Sequence, residues 1–116
     1  MNVQNASEFA ERRRRLNELI LERANLPMKR FFALDQDVYE DGALSKKTKE
    51  LLGLVASLVL RCDDCVKYHL VEAVAAGATD DEITEALGIA LVVGGSIVIP
   101  HLRRAYEFLG SVEPNE

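Results

Sequence analysis

Four side chains of this 116-residue chain combine reactive types with meaningful spacing: Glu50, Cys62, Cys65 and His69. Cys62 and Cys65 form a Cys-x-x-Cys pair, a separation at which the first sulfur can reach the second and close a disulfide. His69 follows Cys65 by four residues, so on one helix the two side chains share a face and the imidazole can act as base to the thiol. A thiol near a helix N-terminus also meets partial positive charge and free N–H groups, both of which favour the thiolate. Asp63 and Asp64 oppose this by repulsion; the histidine and the helix terminus are expected to prevail at Cys65. Glu50 precedes Cys62 by twelve residues, a little over three helical turns. If the two helices form an antiparallel hairpin, Glu50 falls opposite the second or third turn of the following helix, near His69, where it could orient and charge the ring.

Other readings of the same residues stand beside this one. Free cysteines are often small buried hydrophobes. Cys62, Cys65 and His69 also offer zinc ligands that His101 or Glu50 could complete, although a histidine so soon after Cys-x-x-Cys on one helix makes a crowded tetrahedron. His101 has no partner legible in the sequence and is read as a surface or interface residue. Tyr68 and Lys67 are read as packing and solvent residues.

The elements that must position these groups are all helices, giving an all-α fold class of about six helices with a central antiparallel hairpin carrying the Cys-x-x-Cys. Apolar residues at Phe9, Leu16, Leu19, Ile20 and Leu26 predict a first amphipathic helix over about Ser7 to Asn25. Pro27 suits the first position of a second helix carrying Met28, Phe31, Phe32, Leu34 and Val38, with Phe31 and Phe32 expected in the core. Ser45 is the expected N-cap of a third helix, which is apolar almost all round from Leu51 to Leu60 and must therefore be covered on most sides, as the centre of the domain or as part of a subunit interface. Asp63 and Asp64 are the expected caps of a fourth, ended by Gly77. Thr79 to Glu82 matches a capping box and starts a fifth helix running to Val93. Gly94-Gly95 makes a turn, and Ser96 is expected to cap a last helix through Phe108, with Pro100 near its first turn. Residues 111–116 read as a disordered tail.

Length and charge narrow the class further. A chain of this size fits a single domain over residues 1–116. Its net charge of -5 repels phosphate backbones and anionic membranes, so neither nucleic acid nor a membrane is an expected partner. Arg12 to Arg15 lie among Glu8, Glu11, Glu18 and Glu22 at helical spacing, which reads as an ion-pair face. The run from Ile83 to Pro100 is too interrupted to span a bilayer. No signal peptide is readable, so a cytoplasmic location is expected, where a Cys-x-x-Cys points to redox or metal chemistry rather than a structural staple.

Glu50, eleven residues, Cys62-x-x-Cys65, three residues, His69, followed by Gly77-Ala78-Thr79-Asp80-Asp81-Glu82-Ile83 and Gly94-Gly95, resembles the alkylhydroperoxidase D-like and carboxymuconolactone decarboxylase family over about Ser45 to Phe108. The resemblance implies a helical protein assembled as a homo-oligomer, a trimer or hexamer. It implies a thiol-dependent peroxidase or disulfide reductase in which Cys65 attacks hydroperoxide, Cys62 resolves the sulfenic acid as a disulfide, and His69 and Glu50 relay protons. The electron donor would be a dithiol carrier such as a lipoylated protein, with no metal or organic cofactor. The chain departs from alkylhydroperoxidase D in carrying Asp64 where that enzyme has a histidine before its second cysteine. Two alternatives remain: the lactone decarboxylation of the family's other branch, and a redox-sensing oligomer without enzymatic activity.

Overall fold

Two helices that meet at Cys62 organise the molecule, a computed structural model describing residues 4–113. Helix α3 (Lys46–Val59) runs up to the cysteines and α4 (Asp63–Ala75) runs back beside it. Around this hairpin lie α1 (Ala6–Arg23), α2 (Leu26–Val38), α5 (Asp80–Gly94), a 3₁₀ turn (Ser96–Val98) and α6 (Ile99–Leu109). Among the described residues there is no strand, and no helix is long and apolar enough to cross a membrane.

Local chemistry starts most of these helices where the sequence places them. Ser45 accepts from the Thr48 N–H, and Thr79 and Glu82 complete a reciprocal capping box. The first two helices start slightly earlier than expected, because Asn5 and Asn25 cap them, with Asn25 taking the Met28 N–H. Ser96 caps nothing: it opens the 3₁₀ turn, and α6 begins at Ile99 with Pro100 in its first turn.

The core is aliphatic and formed by α3, α4, α5 and α6. Leu54, Leu58, Val66, Leu70, Ile83, Leu87 and Val98 are fully enclosed, and Phe9 of α1 meets Phe108 edge to face. At roughly 1.5–3 kcal/mol for each large apolar side chain removed from water, this cluster is the main source of stability. It fixes α4 between its neighbours.

Two expectations about packing are corrected, and that for α3 is met on one side. Phe31 is 67% exposed and α2 buries no residue at all, because no other helix packs closely over its apolar face. Within the chain, α3 is covered on one side only: Leu54 and Leu58 face the core while Leu52, and Leu60 just past its end, stay exposed. The expected tail is ordered at its start, where the Ser111 hydroxyl accepts from Ala6 N and donates to Phe108 O, and Val112 packs on the core. Residues 114–116 of that tail lie outside the described residues.

Candidate redox site

The turn between α3 and α4 presents the cysteines. Leu60 is the C-cap of α3, and Arg61 follows in the left-handed region at φ 60°. That conformation returns two backbone N–H groups onto the end of α3, from Arg61 to Leu58 O and from Cys62 to Ser57 O, each at 3.0 Å. Cys62 is then the N-cap of α4, its sulfur accepting from the Cys65 N–H at 3.2 Å. This corrects the expected caps: Asp63 and Asp64 occupy the first turn rather than the capping position, since the sulfur two bonds from the Cys62 backbone fills it. Cys62 and Cys65 are joined as a disulfide, with Cα atoms 5.3 Å apart. Cys65 is exposed and Cys62 half-buried.

Deeper in the hairpin, Glu50 and His69 meet. Glu50 is fully buried, and its Oε1 lies 2.8 Å from His69 Nδ1. Its other oxygen faces the Lys46 ammonium at 3.3 Å, so both carboxylate oxygens have partners. A carboxylate can only accept, which makes Nδ1 the donor and leaves Nε2 of the neutral ring free to take a proton. Gly53 is what lets the ring lie there: a Cβ on Gly53 would sit 2.6 Å from His69 Cε1. Glu50, Gly53 and Ser57, spaced at three and four residues, form the α3 stripe that faces α4.

Two tyrosines enclose the histidine. Tyr39 and Tyr68 have ring centroids 5.3 and 5.1 Å from that of His69. Burial, and then the nearby Glu50 charge, raises the Tyr39 phenol; burial, and then Glu72, pushes Tyr68 up to about 12. Both therefore stay neutral at physiological pH. Tyr39 is held in place by Lys49, whose ammonium donates to Val38 O and Glu40 O across the loop into α3. Both phenols line a cleft of about 570 Å³ that α1 and α2 form against the hairpin, together with Arg13, Lys29, Lys46 and Glu72. Tyr68 packs against the core, as its sequence reading has it, and meets the site as well; Tyr39 lies outside the motif, and no spacing in the sequence ties it to His69.

The four candidate residues thus form two pairs on one hairpin. Glu50 bonds His69, Cys62 bonds Cys65, and His69 stands one helical turn after Cys65; among the described residues no hydrogen bond runs from His69 to either sulfur. With the sulfurs joined to each other, they have no proton to exchange. The zinc reading has no set of ligands behind it here, since among the described residues no three His, Cys, Asp or Glu side chains are grouped to hold a metal ion. His101 is not a partnerless surface residue: its Nδ1 lies 2.8 Å from Asp63 Oδ1, and Arg104 Nε lies 2.8 Å from Asp63 Oδ2. The sequence signal that could have exposed this is the spacing of His101 and Arg104, which share a helix face.

The carboxymuconolactone decarboxylase family model matches residues 26–108, a match that takes in α2 as well as the motif region. Protein TM1620 of Thermotoga maritima is 67% identical and superposes with a TM-score of 0.86 over 89% of this chain and 90% of that one. TM1620 is itself described as a carboxymuconolactone decarboxylase family protein, and a part in the antioxidative response has been suggested for it. Legionella pneumophila lpg0406, of the same family, is 28% identical with a TM-score of 0.81, covering 90% of this chain and 94% of that one. An uncharacterised protein of the Paracoccus denitrificans cox locus is 32% identical over 72% of this chain and 75% of its own length. The helical fold, the disulfide-bonded cysteine pair and these matches agree: the chain belongs to the carboxymuconolactone decarboxylase family and is alkylhydroperoxidase D-like.

Proposed function

We propose that the protein is a thiol-dependent peroxidase that works through Cys62 and Cys65. The observation that carries this reading is the cysteine pair at the exposed start of α4 with a buried Glu50–His69 pair one turn further along the same hairpin. The antioxidative role suggested for TM1620, 67% identical, lends support.

In the reduced protein, His69 Nε2 takes the Cys65 proton, directly or through one water, while Glu50 holds the ring and stabilises the imidazolium. The Cys65 thiolate attacks the terminal oxygen of a hydroperoxide. An S–O bond forms, the O–O bond breaks, and the alkoxide leaves as an alcohol with the proton returned by His69. Cys62 then displaces water from the sulfenic acid, giving the disulfide and completing a two-electron oxidation of the protein. A dithiol carrier restores the two thiols by exchange and departs as its own disulfide. The same last step, run on a disulfide substrate in reverse, would make the protein a disulfide reductase.

Hydroperoxide added to the dithiol-reduced protein is expected to consume both thiols of each chain and leave the Cys62–Cys65 bond. Cys65→Ser should abolish turnover, and His69→Gln should slow it by roughly 100-fold or more, the scale of a lost general base. Consumption of peroxide by Cys65→Ser at the wild-type rate would exclude the reading.

A further inference from the structure

The residue between the cysteines closest to α6 is not a free carboxylate. Asp63 is the first residue of α4, adjacent in sequence to Cys62. His101 and Arg104, one turn apart on α6, converge on it from outside the hairpin. The guanidinium and imidazole also approach each other, with Arg104 Nη2 3.1 Å from His101 Nδ1. The carboxylate only accepts, so Nδ1 gives its proton to Asp63 Oδ1 while Arg104 Nε serves Oδ2; the Nη2 approach to Nδ1 is then a contact between two donors and not a second hydrogen bond. Burial pushes the Asp63 carboxyl up, but the hydrogen bonds and charges of His101 and Arg104 outweigh it and hold the group below its ordinary value of 3.8.

A charge this close to two sulfurs matters to their chemistry. A bare carboxylate at Asp63 would repel a thiolate at either cysteine, and Asp64 adds a second negative charge on the same turn. The surrounding charges are Arg61 at the turn, Lys67 on α4, and Arg12 and Arg13 of α1, which share a recess with Asp64. Of the two aspartates, Asp63 is the one whose oxygens, among the described residues, hold two donors from a neighbouring helix.

We propose that His101 and Arg104 are positioning residues of the redox site: they hold the Asp63 carboxylate toward α6 and cancel its charge, which preserves the thiolate at the adjacent cysteine pair. The inference rests on the reading that these cysteines act as thiolates. It is independent of which oxidant they meet.

The test is the pH dependence of alkylation of the dithiol-reduced protein by iodoacetamide, a neutral electrophile, followed by the lower of the two thiol midpoints. His101→Ala and Arg104→Gln should each raise that midpoint by roughly half to one unit, about three- to ten-fold less thiolate below it. Arg104→Lys, which keeps the charge, should stay near wild type. Asp63→Asn combined with Arg104→Gln should return the midpoint to the wild-type value or lower, because the repelling charge has gone.

An unchanged midpoint in both His101→Ala and Arg104→Gln overturns the proposal. A raised midpoint that Asp63→Asn does not restore also overturns it, since the pair would then act by packing alone. Alkylation needs no peroxide, so variants that show these shifts beside a wild-type protein that turns over no hydroperoxide would refute the peroxidase reading and leave this inference standing.

Discussion

At the scale of single residues, the site depends on a missing side chain as much as on present ones. Gly53 lies within a helix, where replacement by Ala would ordinarily gain about 1 kcal/mol of propensity. Here the added methyl would meet the His69 ring at 2.6 Å. The ring cannot swing away cheaply, because Glu50 bonds it and Tyr39 and Tyr68 pack beside it. Overpacking of this kind costs about 1–3 kcal/mol. Gly53→Ala is therefore expected to lower thermal stability despite its better propensity, and to cut peroxide turnover along with it. A variant that melts above the wild type would mean that the ring does not occupy this space.

The turn that carries the cysteines belongs to the scale of elements. It needs one residue in the left-handed region so that Arg61 N and Cys62 N can fold back onto α3, and that residue is an arginine where a glycine would be unstrained. The corresponding turn after α4 uses Gly77, at φ 95°, with the same pair of returning N–H groups from Gly77 to Val74 O and Ala78 to Ala73 O. A side chain in this conformation costs roughly 1–2 kcal/mol. Arg61→Gly should accordingly be more stable than Arg61→Ala by about 1 kcal/mol in urea unfolding. Equal stability of the two variants would show that backbone strain at this position is not felt.

Across the whole molecule, the aliphatic surface left uncovered is the main unexplained feature. Leu60, Val92 and Val93 are 76%, 83% and 68% exposed, and the ends of α3 and α5 that carry them lie close together at Val59 and Gly94. Phe31, Leu34 and Val38 expose a second stretch on α2. Exposed apolar patches often mark interaction sites, and the family resemblance implies copies of the same chain as their cover. Sedimentation equilibrium is expected to give a mass several times the 12.9 kDa of one chain, reduced by Val92→Asp with Val93→Asp. A monomer at micromolar concentration would refute this. A mass that changes between oxidised and reduced samples would instead favour a redox-switched assembly over a catalyst.

The sequence alone determined the features that short stretches of chain control. Several of the helices follow from caps that sit within three residues of the groups they satisfy, as at Ser45, Thr79 and Gly77, whereas α6 starts without a side-chain cap. The approach of Glu50 to His69 was legible because two helices joined by a three-residue turn have little choice of register. Cys62 displaces the aspartates as cap because its sulfur accepts the Cys65 N–H, a role that residue type alone does not announce. What tertiary structure decided involves groups distant along the chain. The exposure of Phe31 depends on which helices α2 leaves unpaired, and the capture of Asp63 by His101 and Arg104 spans about forty residues of sequence. The spacing of His101 and Arg104 puts them on one helix face but names no partner for it; the shared core of α4 and α6 brings that face to Asp63.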